Sequence, residues 1–325
     1  MKSLSLIIRI PTSFLFLGLV LLRNYFYKKG LFKTHSVSVP VISVGNISVG
    51  GTGKTLVVEA LANWLQSQGK IPAILSRGYG RISKGYILVS QGMGPLVSQE
   101  ISGDEPFLLA LNLKGIAIAV CENRVVGASQ LIDDTKCDVI LLDDGFQHRR
   151  IYRNIDIAIR NSDSKMQHLL PWGTLREPLD SLKRADIVFY IKSKPEWIRD
   201  EFYLELKYSS ELIQFETEII DVQSLKGKNI VAFCGIGKPH YFYKALKDLK
   251  IQVNHEMTFR DHQQYGNEAL ETIASLSSDI IITTQKDFIK LPSSFVQKNT
   301  VYYLRVNVVL SEKNKILLNS VISDA

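Results

Sequence analysis

The stretch VISVGNISVGGTGKTLVVEALANWL, beginning at Val41, constrains this chain more than any other. A β-branched run, a glycine-dense turn and an apolar-periodic segment specify a strand whose carboxyl end feeds a loop and then a helix N-terminus. Such a junction gathers backbone N–H groups at the positive end of a helix, where an anion is stabilised. Gly50, Gly51 and Gly53 let the backbone curl around phosphate oxygens, Lys54 adds a positive charge, and Thr55 offers its hydroxyl to Mg²⁺. The expected nucleotide-binding stretch is Ser48, Val49, Gly50, Gly51, Thr52, Gly53, Lys54 and Thr55. The pattern GxxxxGK[ST] asks for glycine at position 48, so the match is one residue short.

A second signal is Val139-Ile-Leu-Leu-Asp143-Asp144-Gly145, an apolar strand closed by two carboxylates. Strand ends in parallel sheets line the ligand crevice, and a carboxylate there can hold the Mg²⁺ that bridges nucleotide phosphates. Adjacent residues point in different directions, so one of Asp143 and Asp144 suits the metal shell and the other suits orienting a neighbour. Further β-branched runs lie at 73–75, 116–120, 155–159, 187–191, 230–234, 280–283 and 301–304, several separated by helix-like segments. They predict an α/β protein: a P-loop NTPase-like parallel sheet domain, a second, smaller α/β domain and an N-terminal membrane-associated helix. The expected divisions are 1–28, 29–215 and 216–325, the last boundary falling in a polar region with weaker strand signals.

The first 58 residues carry seven basic side chains and no acidic one, whereas 59–325 hold 32 of each. The formal charge of +7 is therefore N-terminal, which disfavours a nucleic-acid-binding body. Leu4 to Leu22 is apolar but interrupted by Arg9 and Pro11, leaving a core of 12–22 that falls short of the roughly 20 residues of a spanning helix. Its flank, Arg23 to Lys29 with three aromatics, suits an interfacial anchor on an anionic cytoplasmic leaflet and lacks the small residues of a cleavage site. Three cysteines with no close pair exclude a CxxC site and argue for a reducing compartment.

Taken in order, GNISVGGTGKT, SRGYGR from Ser76, SGDEP from Ser102, ENR from Glu122, DDGFQHRR from Asp143 and LREP from Leu175 resemble the tetraacyldisaccharide 4′-kinase family of lipid A biosynthesis. AFCGIGKPHYF, FRDHQQY and TTQKDFIKL resemble that family's second domain, so the likeness covers nearly the whole chain. Ser or Thr at position 48 is usual in the family. Departures include Leu56 and Thr174 at common proline positions, and Arg260, Gln263 and Gln285 in the second domain.

The resemblance implies an ATP-dependent kinase acting on the 4′-hydroxyl of tetraacyldisaccharide 1-phosphate at the cytoplasmic face of a Gram-negative inner membrane, with ATP and Mg²⁺ and no obligate protein partner. By the same resemblance Asp104 is the base, His262 its orienting partner, and Arg176 an added cation at the transferring group. Arg77, Glu105, Arg124, Gln147 and His148 fall by motif in the same crevice, in substrate-binding or supporting roles. A rival reading is a membrane-bound ATPase switch, but such proteins often carry a lysine early in the loop, where this chain has Val49.

Overall fold

The structure, a computed structural model, describes residues 2–161, 168–192, 194–214, 218–261 and 263–323. The chain divides into two compact units, one of 1–205 with 308–325, the other of 206–307. The C-terminal helix thus belongs with the first unit, and the boundary expected at 215/216 lies outside the described residues.

The first unit opens with helix α1 (Lys2–Lys28), which continues through Pro11. Its stretch Ile8–Lys28 is, by length and composition only, long and apolar enough to cross a membrane. One stripe of α1 faces the unit: Ser13 and Val20 are buried, and Ile10, Leu17, Asn24 and Tyr27 are half-buried. That spacing of three and four residues is one side of a helix. On the other side Ile8, Phe14, Leu15, Leu19 and Leu22 are exposed.

Beyond α1 the chain builds β1 (Val41–Gly45), α2 (Lys54–Ser67), β2 (Pro72–Ser76) and β3 (Ile87–Gln91). Next come α3 (Gln99–Ser102), α4 (Asp104–Asn112), β4 (Ala117–Val120), α5 (Arg124–Thr135) and β5 (Val139–Asp143). Strands β6 (Ile155–Asn161), β7 (Ile187–Ile191) and the start of β8 (Tyr203–Gln214) complete the sheet. Its order is β8-β7-β6-β1-β5-β2-β4-β3, parallel except for β3, which runs antiparallel to β4. Strands β1, β2 and β5 are buried along their full length, as expected of continuous apolar strands covered on both faces. Under them pack Ala128 and Leu131 of α5 with Cys121 and Cys137, which are 2 % and 4 % exposed.

The second unit holds the rest of β8, β9 (Glu218–Asp221), β10 (Ile230–Cys234), α6 (Pro239–Asp248) and β11 (His255–Thr258). Helix α7 (Asn267–Ala274), β12 (Ile280–Thr284), α8 (Gln285–Phe288), α9 (Ser293–Lys298) and β13 (Val301–Val309) follow, and α10 (Glu312–Ser323) returns to the first unit. Strand order here is β11-β10-β12-β13-β8, with β9 antiparallel to β8. Buried Asp287 accepts hydrogen bonds from the Gly235 amide (2.9 Å), the Tyr265 hydroxyl (2.9 Å) and the Thr284 hydroxyl (2.7 Å), tying three loops together. The third cysteine, Cys234, is fully buried at the end of β10.

Candidate active site

Register decides where the motifs meet. Val44 pairs with Asp143, Leu75 with Leu142, and Ser76 with Val120, so β1, β5, β2 and β4 end side by side. The glycine loop, DDGFQHRR, SRGYGR and ENR each follow one of these strands and therefore emerge along one carboxyl edge, where parallel sheets bind ligands.

The glycine loop is braced from both sides. The Asn46 amide donates to Thr52 Oγ1 at 2.8 Å, and Gln147 Nε2 donates to the Asn46 carbonyl at 2.6 Å. Ser48 pairs with Leu175 in an antiparallel bridge, and the Val49 N–H is committed to the Thr174 carbonyl at 2.8 Å. Gly50 and Gly51 have open space where a side chain would stand. Gly53 caps α2 in the left-handed region, with φ +84°, and Lys54 and Thr55 form the first turn. A residue with a Cβ is strained there, which is why the loop-to-helix transition is made at glycine.

Asp144 stands between two cations: Lys54 Nζ lies 3.2 Å from Oδ1, and Arg176 Nη1 lies 2.9 Å from Oδ2. Burial alone would raise its carboxyl, but Lys54 and Arg176 hold it below the ordinary range. Asp143 differs although it is the next residue. It is 1 % exposed, and Ser76 makes a long hydrogen bond to Oδ2 at 3.4 Å while Oδ1 is buried without a hydrogen-bond partner. Burial, reinforced by the Glu105 and Asp144 carboxylates, pushes its pKa upward. An orphaned, destabilised carboxylate oxygen is what a hard divalent cation would satisfy. Among the described residues no three His, Cys, Asp or Glu side chains form a metal cluster.

Asp104 heads α4. The N-cap position is Gly103, so Asp104 is the first residue of the helix. Gln99 Nε2 donates to its Oδ1 at 2.7 Å, and Glu105 shares the first turn. The SGDEP and SRGYGR turns touch backbone to backbone, since a Cβ on Gly103 (φ +91°) would stand 2.9 Å from the Tyr79 carbonyl. His262 lies outside the described residues.

Among the supporting residues, Arg77 follows β2 and is exposed, while Arg124 is only 2 % exposed. The Arg124 guanidinium donates to the Cys121 carbonyl at 2.6 Å and reaches the Asp143 carbonyl at 3.5 Å; burial lowers its pKa to about 10. His148 is lowered to about 4 by burial and by the charges of Arg124, Arg153, Arg77 and Arg150. It is therefore a neutral imidazole at ordinary pH. Gln99 and Lys192, whose Nζ donates to the Gly51 carbonyl at 3.2 Å, hold the site without any local sequence signal, and Ser76 was visible only as a letter of SRGYGR. Glu177 was visible only as a letter of LREP.

A family model described as Tetraacyldisaccharide-1-P 4'-kinase, LpxK, matches residues 5–323. The tetraacyldisaccharide 4'-kinase of Aquifex aeolicus (strain VF5) is 37% identical over 312 residues, covering 94% of this chain and 95% of that protein. The enzyme of the same name from Chlorobium limicola is 36% identical over 339 residues, covering 96% and 97%. A crystal structure of LpxK from Aquifex aeolicus in complex with ATP superposes with a TM-score of 0.83 at 35% identity, covering 99% of each chain. On this evidence the chain belongs to the tetraacyldisaccharide 4'-kinase family.

Proposed function

We infer that this chain is the tetraacyldisaccharide 4′-kinase of lipid A biosynthesis, transferring the γ-phosphoryl group of ATP to the 4′-hydroxyl of tetraacyldisaccharide 1-phosphate. The observation that carries this reading is the meeting of Lys54 and Arg176 on Asp144, beside the glycine loop. Phosphoryl transfer is mostly positioning and charge neutralisation, and two cations held at one carboxylate supply both.

In the mechanism we favour, the Gly50–Lys54 stretch and the N-terminus of α2 cradle the β- and γ-phosphates. Thr55 with Asp143 or Asp144 would hold Mg²⁺, which when bound neutralises phosphate charge. Arg176, a planar fork suited to bidentate contact, stabilises charge on the group in transit. Asp104, held by Gln99, accepts the proton of the attacking hydroxyl. Arg124 acts from behind, fixing the backbone of Asp143. Arg77, Glu105 and His148 remain in the crevice as contacts to the sugar or its phosphate. The exposed apolar side of α1, flanked by Lys28 and Lys29, supports a protein lying on the cytoplasmic face of an inner membrane rich in anionic lipid.

The test is incubation with γ-labelled ATP and tetraacyldisaccharide 1-phosphate in mixed micelles. Label recovered in the lipid is the expected result. Label found only in free phosphate overturns the kinase reading in favour of an ATPase.

A further inference from the structure

The buried carboxylate of Glu177 has a role that the site as described does not use. It is 1 % exposed and sits among three donors. Arg184 grips it as a fork, Nη1 to Oε2 at 2.6 Å and Nη2 to Oε1 at 2.8 Å. Asn24 Nδ2 donates to Oε2 at 3.1 Å, and Arg23 Nη2 stands 3.6 Å from Oε1. Both of these belong to α1. Arg184 also donates to the Phe146 carbonyl at 3.1 Å and lies 3.9 Å over its ring, two residues past Asp144. One carboxylate thus joins the N-terminal helix to the strand end that carries the site.

The neighbouring residue, Arg176, faces the other way. Its N–H donates to the Ile47 carbonyl at 2.7 Å, and its guanidinium reaches Asp144. Leu175 is bridged to Ser48 of the glycine loop, and Ser13 of α1 donates to the Leu169 carbonyl at 3.0 Å. Arg176 and Glu177 share one backbone at a bend, both N–H groups directed at the Ile47 carbonyl, so a shift of one moves the other. A buried ion pair adds little to stability compared with apolar packing; what it supplies is direction.

We propose that Glu177 is a positioning residue for phosphoryl transfer, transmitting the seating of α1, through Arg23 and Asn24, to the placement of the Arg176 guanidinium. The proposal rests on the kinase reading and on Arg176 acting in the transition state. A displacement of about 1 Å at such a group costs up to a hundredfold in rate.

The experiment is a double-mutant cycle on the full chain in vesicles, using γ-labelled ATP and the lipid acceptor at saturation. Asn24→Ala and Glu177→Gln are expected to lower kcat tenfold or more, with the KM for ATP within twofold and vesicle binding unchanged. In an Arg176→Ala background Asn24→Ala should cost nothing further, because both act through one group. Multiplicative losses, a wild-type kcat for Glu177→Gln, or a wild-type kcat for Arg176→Ala each overturn the proposal. Melting curves accompany each variant, and Asn24→Ala, a substitution on a half-buried helix position, keeps the test open if Glu177→Gln folds poorly. Transfer of label by the wild-type protein judges the kinase reading separately.

Discussion

Asp143 and Asp144 are adjacent and of one type, yet their surroundings separate them completely. Asp144 is held between Lys54 and Arg176 and is kept ionised, while Asp143 is enclosed with an unpartnered oxygen and resists ionisation. Asp104 is a third case, a carboxylate in the first turn of a helix that accepts a hydrogen bond from Gln99. If it is the base, Asp104→Ala lowers kcat by roughly 10²–10⁴ with a much smaller rise in the KM for ATP, read from initial rates. His148 gives a prediction in pH. Its folded pKa of about 4 lies below the ordinary value near 6.5, so above pH 6.5 it is neutral whether the chain is folded or not. Between pH 6.5 and 4 the unfolded chain binds the extra proton, and stability falls as pH falls, by at most about 1 kcal/mol per unit after allowance for solvent. The difference in melting temperature between His148→Gln and the wild type should therefore shift in favour of the variant across that window and stay level above it.

At the level of elements, nine strands were legible because each is a short β-branched run between turn signals, as in Ile230–Cys234. The strands that were not legible have other characters. Sequence His255-Glu-Met-Thr is polar, and Tyr203–Gln214 is half-buried or exposed apart from Leu204 and Leu212. In both, pairing along the backbone outweighs side-chain preference. The motif residues of the site were legible for a related reason, since a parallel sheet delivers every strand-end loop to one edge. Gln99 on Asp104, Ser76 on Asp143 and the grip of Arg184 on Glu177 depend on folded geometry, and no spacing rule announces them. Helix α1 was legible as an apolar segment, but not its inward stripe. Because Leu15 and Leu19 are exposed on the opposite side, Leu15→Glu with Leu19→Glu should reduce sedimentation with anionic vesicles severalfold while leaving the melting temperature unchanged. Unchanged sedimentation would remove α1 as the anchor.

For the molecule as a whole, the uneven charge found in the sequence is divided more finely by the fold. Arg23 turns inward to Glu177, whereas Arg9, Lys28, Lys29 and Lys33 are exposed and can meet anionic lipid at about 1 kcal/mol each. Deleting 1–28 therefore removes the proposed anchor and also strips two partners, Arg23 and Asn24, from a buried carboxylate. The truncated chain should show a lower melting temperature than the full chain in the same detergent, measurable by differential scanning fluorimetry.

The three cysteines give this chain a means of recording its own openings. Each is unpaired and buried, and burial raises the thiols of Cys137 and Cys234, the latter to about 11, so none is poised to react in the folded state. Two lie in the first unit and one in the second. Alkylation followed by peptide mass spectrometry then reads a separate clock for each unit without any engineered label. If ATP is held by the first unit, nucleotide slows the clocks of Cys121 and Cys137 more than that of Cys234; equal slowing would mean that the two units open together.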